Sequence, residues 1–372
     1  MKRFSTLFGW TFLVLIAVTV YVMAAPAMAA DHIPPAAGAP LVLFGFTNIR
    51  NLFTRDAIIR YLEQLGVMMP TVVMDTIFTD RPQQGGPLIG EDIIKQAVHA
   101  MPLSRRGGSS VSIGGATGIS NFYEPFPIKP SIAVNGVDLN NLRVLQGNSA
   151  NLDAWARAKT DVLRKQVRLT AEAMCADALD GVIDYPVALD GGGWDHFYIK
   201  YGDILTVTDH TLWDAGTCKL ADVFELLTEQ QLQMNQKGVG AKTVSWAGKT
   251  AYNALFKLAE KSTTTAKIRV EITDQGINIG GFLIMRRAEQ YRNPQTKAFV
   301  PVVPDKTLKM IALDAGHVMP YAALDDLDSN LQAMPLFIKP VKDNDGNLSL
   351  KGESKPLPVV NPDGICDAVV VA

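Results

Sequence analysis

Several short stretches hold residue types that, at the right spacing, would do chemistry. Gly248-Lys-Thr ends like a phosphate-binding loop, in which an earlier glycine lets backbone amides curl around phosphate oxygens. That earlier place holds Thr243, so the stretch reads instead as a helix start after a strand. Gly238-Val-Gly-Ala-Lys-Thr lacks the last glycine of a dinucleotide fingerprint and reads as a turn. Gly147-Asn-Ser-Ala-Asn would expose a nucleophilic serine on a tight turn only if Asn151 were glycine, so Ser149 reads as the lead-in to a helix. Asp343-Asn-Asp-Gly looks like the middle of a calcium loop, but setting Gly346 at the loop's glycine puts Val341 where the first carboxylate belongs. A hairpin turn is the expectation there. The histidines at 32, 99, 196, 210 and 317 show no zinc spacing, and no cysteine pair lies near them. Glu91-Asp92 and Asp325-Asp326 are adjacent carboxylates, which point apart rather than at one substrate atom, and so read as solvated surface. No catalytic constellation emerges, and the expectation is a non-enzyme with no cofactor and no metal.

The elements that carry these residues follow from periodicity and breakers. Thr54 can cap a helix over 54–65, whose apolar stripe is Ile58, Ile59, Leu62 and Leu65. Thr71-Val-Val-Met-Asp-Thr-Ile-Phe reads as extended because it is rich in β-branched residues. Over 81–130 glycine and proline recur, as in Gln83-Gln-Gly-Gly-Pro, Arg105-Arg-Gly-Gly and Glu124-Pro-Phe-Pro, with strand-like pieces such as Val111-Ser-Ile and Ile119-Ser-Asn-Phe-Tyr between them. A long, exposed, two-stranded loop fits that pattern. Residues 152–179 hold no glycine or proline, and Leu152, Trp155, Leu163, Val167, Met174 and Ala178 keep one side apolar. At about 1.5 Å per residue this helix would be roughly 40 Å long, a spine for the fold, with Gly181 at its C-terminal end. Strands around a Gly191-Gly-Gly turn follow, then helices at 219–234 and 249–261 and strands at 268–272 and 280–285. A hairpin around Asp343-Asn-Asp-Gly and the apolar run from Asp367 close the chain.

With 372 residues, 48% of them hydrophobic and 19% charged, the chain can bury a large core, and intrinsic disorder is excluded as its main state. Its 35 basic and 37 acidic residues leave a net charge of −2, which gives no electrostatic basis for gripping nucleic acid over the whole surface. Cys175, Cys218 and Cys366 are an odd, widely spaced set that argues for a reduced compartment. Residues 1–30 pull the other way: Lys2 and Arg3 precede an apolar run and Ala27-Met-Ala-Ala, so Ala29 and Ala30 are candidate leader-cleavage residues. An uncleaved anchor and initiation at Met28 are the other two readings of this segment.

Val73-Met-Asp-Thr-Ile-Phe, Pro87-Leu-Ile, Arg105-Arg-Gly-Gly and Tyr123-Glu-Pro-Phe-Pro-Ile-Lys-Pro follow one another in an order that resembles the phage lambda-type major capsid protein E family. The likeness continues through the long helix, Tyr185-Pro and Val244-Ser-Trp-Ala-Gly, and covers most of 52–372. It implies an α+β, tailed-phage (Hong Kong ninety-seven-type) major capsid fold with an N-terminal arm, an extended loop, a peripheral domain with a spine helix, and an axial domain. On that scheme 1–30 is a leader, 31–70 linker and arm, 71–150 the extended-loop region, and 151–242 the peripheral domain. Residues 243–326 form the axial domain and 327–372 return to the peripheral one. The implied function is self-assembly into the icosahedral head shell of a tailed phage or prophage that encloses DNA without reading its sequence. The implied partners are further copies in hexamers and pentamers, with scaffold, maturation protease, portal and decoration proteins beside them. Arg105 and Arg106 are candidate intersubunit contacts, and the location is the virion after assembly in the host cytoplasm. The competing reading, favoured by the leader, is an exported or membrane-anchored α+β binding protein or hydrolase.

Overall fold

Thr54 starts the first helix, α1 (Arg55–Gln64), by accepting the Ala57 amide on its hydroxyl oxygen at 3.3 Å, the cap its sequence promised. The computed structural model describes residues 52–64, 71–90, 122–134, 149–209, 211–262, 268–342 and 348–372. All of these fall within one compact unit, Phe44–Ala372. The expected extended run at 71–78 is instead a short helix, α2 (Val72–Thr76). Its β-branched residues are overruled from outside, because the Glu172 carboxylate accepts the Val73 and Met74 amides at 2.7 and 2.8 Å. Two free N–H groups of a helix start are thereby satisfied by a tertiary partner that local propensity does not include.

After α2 come β1 (Ile89–Gly90), β2 (Phe122–Tyr123) and β3 (Ser131–Val134). The long helix α3 (Ser149–Ala178) follows and ends where Gly181 takes φ +77. A Cβ at Gly181 would lie 2.4 Å from the Gly202 carbonyl oxygen, so both the turn and the close backbone approach require glycine. Next are β4 (Val182–Ala188), β5 (Trp194–Lys200), β6 (Leu205–Thr206), α4 (Leu220–Gln236), β7 (Thr243–Ala247) and α5 (Lys249–Ser262). Then come β8 (Val270–Thr273), β9 (Gly276–Ile279), β10 (Phe282–Arg286), β11 (Gln290–Arg292), β12 (Phe299–Pro301) and β13 (Thr307–Ala312). The chain closes with β14 (Phe337–Lys342), β15 (Leu348–Glu353) and β16 (Ile365–Val369).

Among the described residues, seven strands form one sheet in the order β6-β16-β13-β7-β10-β9-β8. The alternation of β13 explains its layers. Leu308, Met310 and Ala312 face the core beneath α4 and α5, while Ile311 faces the core built around the end of α3. A smaller sheet, β14-β15-β3, packs with α1 and the first half of α3 around Phe53, Ile58, Leu163, Leu336 and Leu350. The β4–β5 hairpin continues from α3, and Tyr201 donates its amide to the Gly181 oxygen at 2.9 Å. Sheet membership cuts across the segments drawn from sequence. The closing strand β16 pairs with β13 and β6 in the seven-stranded sheet, whereas β14 and β15 lie with β3 beside α3.

Candidate assembly surfaces

The motifs that hinted at small-molecule chemistry are used up by the fold. At Gly248-Lys-Thr, the amides of Thr250 and Ala251 donate to the Asp305 carbonyl oxygen at 3.0 and 2.9 Å, so the first turn of α5 holds backbone and has no room for phosphate. Gly248 is there for clearance, since a Cβ would meet the Pro304 oxygen at 2.1 Å. Ser149 is the first residue of α3. Of the adjacent carboxylates, Asp325 is exposed, as expected, though ion-paired to the fully buried Lys355, whereas Asp326 is buried and ion-paired to Lys339. His317 is buried and its Nδ1 accepts the Asn361 amide, and burial drops its pKa to about 4, so it is neutral. His196 lies on the surface with Nδ1 2.7 Å from Asp184. The thiols are free and buried, and burial raises Cys218 to about 11 and Cys366 to about 12. Among the described residues no group of His, Cys, Asp and Glu is placed to hold a metal.

What the fold leaves open is surface suited to another protein. β1 and β2 pair antiparallel, with Ile89 opposite Tyr123 and Gly90 opposite Phe122. They form the stem of the long segment between them, 91–121, which lies outside the described residues. The stem is anchored by rings: Tyr123 meets Tyr201 edge-on at 5.9 Å, and Phe126 lies on Phe197 at 5.0 Å. Yet Phe122 is 64% exposed, and Leu88 and Phe126 are also exposed. The β4–β5 hairpin shows Leu189, Trp194 and Tyr198, and the outer side of α3 shows Val162 and Leu169, one heptad apart. These exposed large apolar groups are candidates for contact with another protein.

Two ionic joints tie α3 to its neighbours. At the foot of the stem, Asp75 takes Arg81 on one oxygen and Arg168 on the other, both at 2.7 Å, together with the Thr71 hydroxyl at 2.6 Å. Burial opposes the Asp75 charge, but Thr71, Arg81 and Arg168 outweigh it and hold the carboxyl below its ordinary range. Glu172 is half-buried, and burial raises its pKa against the pull of the α2 amides. The second joint is Lys309 in β13, fully buried. Its ammonium donates to the Leu179 oxygen at 2.9 Å and meets Asp180 at 2.6 Å and Asp367 at 3.0 Å. Burial opposes its charge, yet Asp367 and Asp180 outweigh that and hold it above the ordinary lysine value. The C-terminal end of α3 is thus bolted to the seven-stranded sheet. Sequence reading named none of these residues as functional, because most of the partners, such as Arg168 for Asp75 and Asp180 for Lys309, lie far along the chain. Arg105, Arg106, Ala29 and Ala30, which it did name, lie outside the described residues, as does the 343–347 turn.

A long helix beside a small sheet, the short β1–β2 pair, and a larger sheet roofed by two helices is the architecture of tailed-phage capsid proteins. The chain is similar to a solved structure described as a prophage capsid protein of E. coli CFT073, at 12% identity and a TM-score of 0.51, covering 86% of this chain and 99% of that one. It also aligns with a virus-like particle protein from Pyrococcus furiosus (10% identity, TM-score 0.37, 87% and 98% covered) and with the capsid of Myoviridae phage XM1 (8%, 0.41, 82% and 94%). Among curated protein sequences none matches. The family model described as phage major capsid protein E matches residues 54–370, and the chain belongs to that family. It is therefore a phage or prophage major capsid protein, a virion component whose copies form the head shell. Among the described residues no helix is long and apolar enough to cross a membrane.

Proposed function

We propose that the shell is knitted chiefly by the segment carried on the β1–β2 stem, which each subunit lays over the outer side of a neighbour's α3. The observation that carries this reading is the stem itself: it is fixed by Tyr123–Tyr201 and Phe126–Phe197 stacking, yet it leaves Phe122 in solvent. Covering Phe122 in a contact is worth about 2–3 kcal/mol, and a closed shell repeats that contact in every copy, so a modest interface suffices. In this reading α3 and β14-β15-β3 form the peripheral lobe and the seven-stranded sheet with α4 and α5 the axial lobe. The axial lobes meet in hexamers and pentamers. Arg105 and Arg106 contact carboxylates of neighbouring copies. Scaffold, maturation protease, portal and decoration proteins act on the same shell in the host cytoplasm, and DNA is enclosed without being read. The net charge of −2 supports a wall that does not hold DNA tightly.

Sedimentation velocity and electron microscopy of the full chain and of the chain started at Met28, with scaffold and protease supplied, test this. Closed shells are expected, and Phe122→Ser is expected to reduce their yield while leaving the subunit folded. Shells formed by Phe122→Ser at the parent yield would contradict the proposed contact.

A further inference from the structure

Beside the Asp75 joint lies a cavity of about 240 Å³ between α3 and the chain at 321–336. Its walls include Val167, Tyr321 and Leu336, and three guanidinium groups reach it, those of Arg81, Arg164 and Arg168. No carboxylate lines it, and those on the neighbouring residues are already committed. Asp75 serves Arg81 and Arg168, Glu172 serves the α2 amides, and Asp161 is ion-paired to Lys165 at 2.6 Å. Arg164 is left over: one of its terminal nitrogens is buried with no hydrogen-bond partner, and so is Nε of Arg168. Buried donors of this kind cost free energy unless something fills them, and a guanidinium's fixed fork is matched by a planar oxyanion. Burial, and then the like charge of Arg168, lower the Arg164 pKa and outweigh the opposite pull of Asp161.

We infer that this cavity is an oxyanion socket that receives a side-chain carboxylate from a neighbouring copy of this chain. The inference rests on the shell-forming function. The lining holds three guanidiniums and no carboxylate, and with Asp75 taken up by Arg81 and Arg168 the buried Arg164 nitrogen is left for an anion to meet. In a shell, the group present at high local concentration beside every α3 is another subunit's surface. A carboxylate also suits the space, since it engages Arg164 and Arg168 side by side while its aliphatic stem lies on Val167 and Leu336. A free phosphate is the alternative source of the same chemistry, and the test separates the two.

The test uses the full chain with Arg164→Gln, which removes the charge and the fork, and Arg164→Lys, which keeps only the charge. Assembly is followed by light scattering and sedimentation over a concentration series. The socket predicts at least a tenfold higher threshold concentration for shells with Arg164→Gln and an intermediate one with Arg164→Lys. The unassembled subunit should melt no lower than the parent. Arg164→Gln assembling at the parent threshold would overturn the inference while leaving the capsid function intact. If the parent forms no shells, the shell reading itself fails, and the socket is then judged on the subunit. Acetate is expected to raise the melting temperature over chloride at equal ionic strength in the parent, and the rise is expected to vanish in Arg164→Gln. No such rise would overturn the socket. A rise with phosphate alone, with Arg164→Gln assembling normally, would overturn the assignment to a neighbouring carboxylate.

Discussion

Lys309→Met keeps most of the length and apolar stem of a side chain that is completely buried, and removes only its charge and three donors. The consequence can be worked from its partners. Asp180 is 58% exposed and will simply resolvate. Asp367 is 18% exposed and opposite Lys309 across the β13–β16 ladder, and one of its oxygens is already buried without a partner, so it has nowhere to go. Stranding one member of a buried ion pair costs about 3–5 kcal/mol, and losing the bond to the Leu179 oxygen adds about 1 kcal/mol. Urea unfolding of the unassembled subunit at pH 7.5, followed by fluorescence of the buried Trp213 and Trp246, should therefore show a deficit of about 4–6 kcal/mol. The pH dependence fixes the cause. Burial pushes the Asp367 carboxyl up even with Lys309 present, and it is pushed further without it. A carboxyl whose folded pKa is raised favours folding below its unfolded pKa and loses that contribution as pH rises through the folded one. The deficit should thus shrink towards pH 4, by up to about 1.4 kcal/mol per pH unit. Lys309→Met with Asp367→Asn should recover at least half of it. A Lys309→Met subunit that unfolds at the parent midpoint, or a deficit that is the same at pH 4.5 and 7.5, would refute the account of this joint.

Asp177, packed under the Tyr291 hydroxyl that donates to it, has its pKa raised by burial from 3.8 to about 7. Parent stability should fall as pH rises from about 4 to 7 by up to about 4 kcal/mol, and Asp177→Asn should flatten that slope and gain most above pH 7 in denaturant titrations. Glu172→Ala unlatches the start of α2 and should cost about 2–3 kcal/mol, with faster hydrogen exchange at the Val73 and Met74 amides, while Glu172→Gln, which keeps one acceptor oxygen but turns its NH2 towards the other amide donor, should recover only part of that loss. Gly248→Ala places a methyl group against the Pro304 oxygen and should cost about 3 kcal/mol, read as a lower melting temperature or lost soluble yield, even though the φ of Gly248 is not in the left-handed region.

The parts legible in the sequence are those whose cause is local. The long helix is visible because 30 residues carry one apolar side with no breaker among them, and its end is visible because Gly181 is needed there. Helices α4 and α5 and the β4–β5 and β14–β15 hairpins are legible on the same grounds. What was hidden depends on residues distant in the chain. The α2 helix is written as a strand in its own residues and made a helix by Glu172, 99 positions after Val73. Strand β13 carries a lysine at its centre, which breaks an apolar run until Asp180 and Asp367 make that lysine a core residue. Asp325 and Asp326 look alike in sequence but serve different lysines. The family resemblance was legible because it lies in the order of many short motifs, and the family match over 54–370 agrees with it.

The most direct test of the central claim is a cryo-electron microscopy reconstruction of particles assembled from the full chain. The account predicts a closed icosahedral shell in which the segment between β1 and β2 crosses onto a neighbouring subunit and meets its α3, with a carboxylate of a neighbouring copy in the Arg164 socket. A population that stays as compact monomers under assembly conditions, or a shell in which that segment folds back on its own subunit, would contradict it.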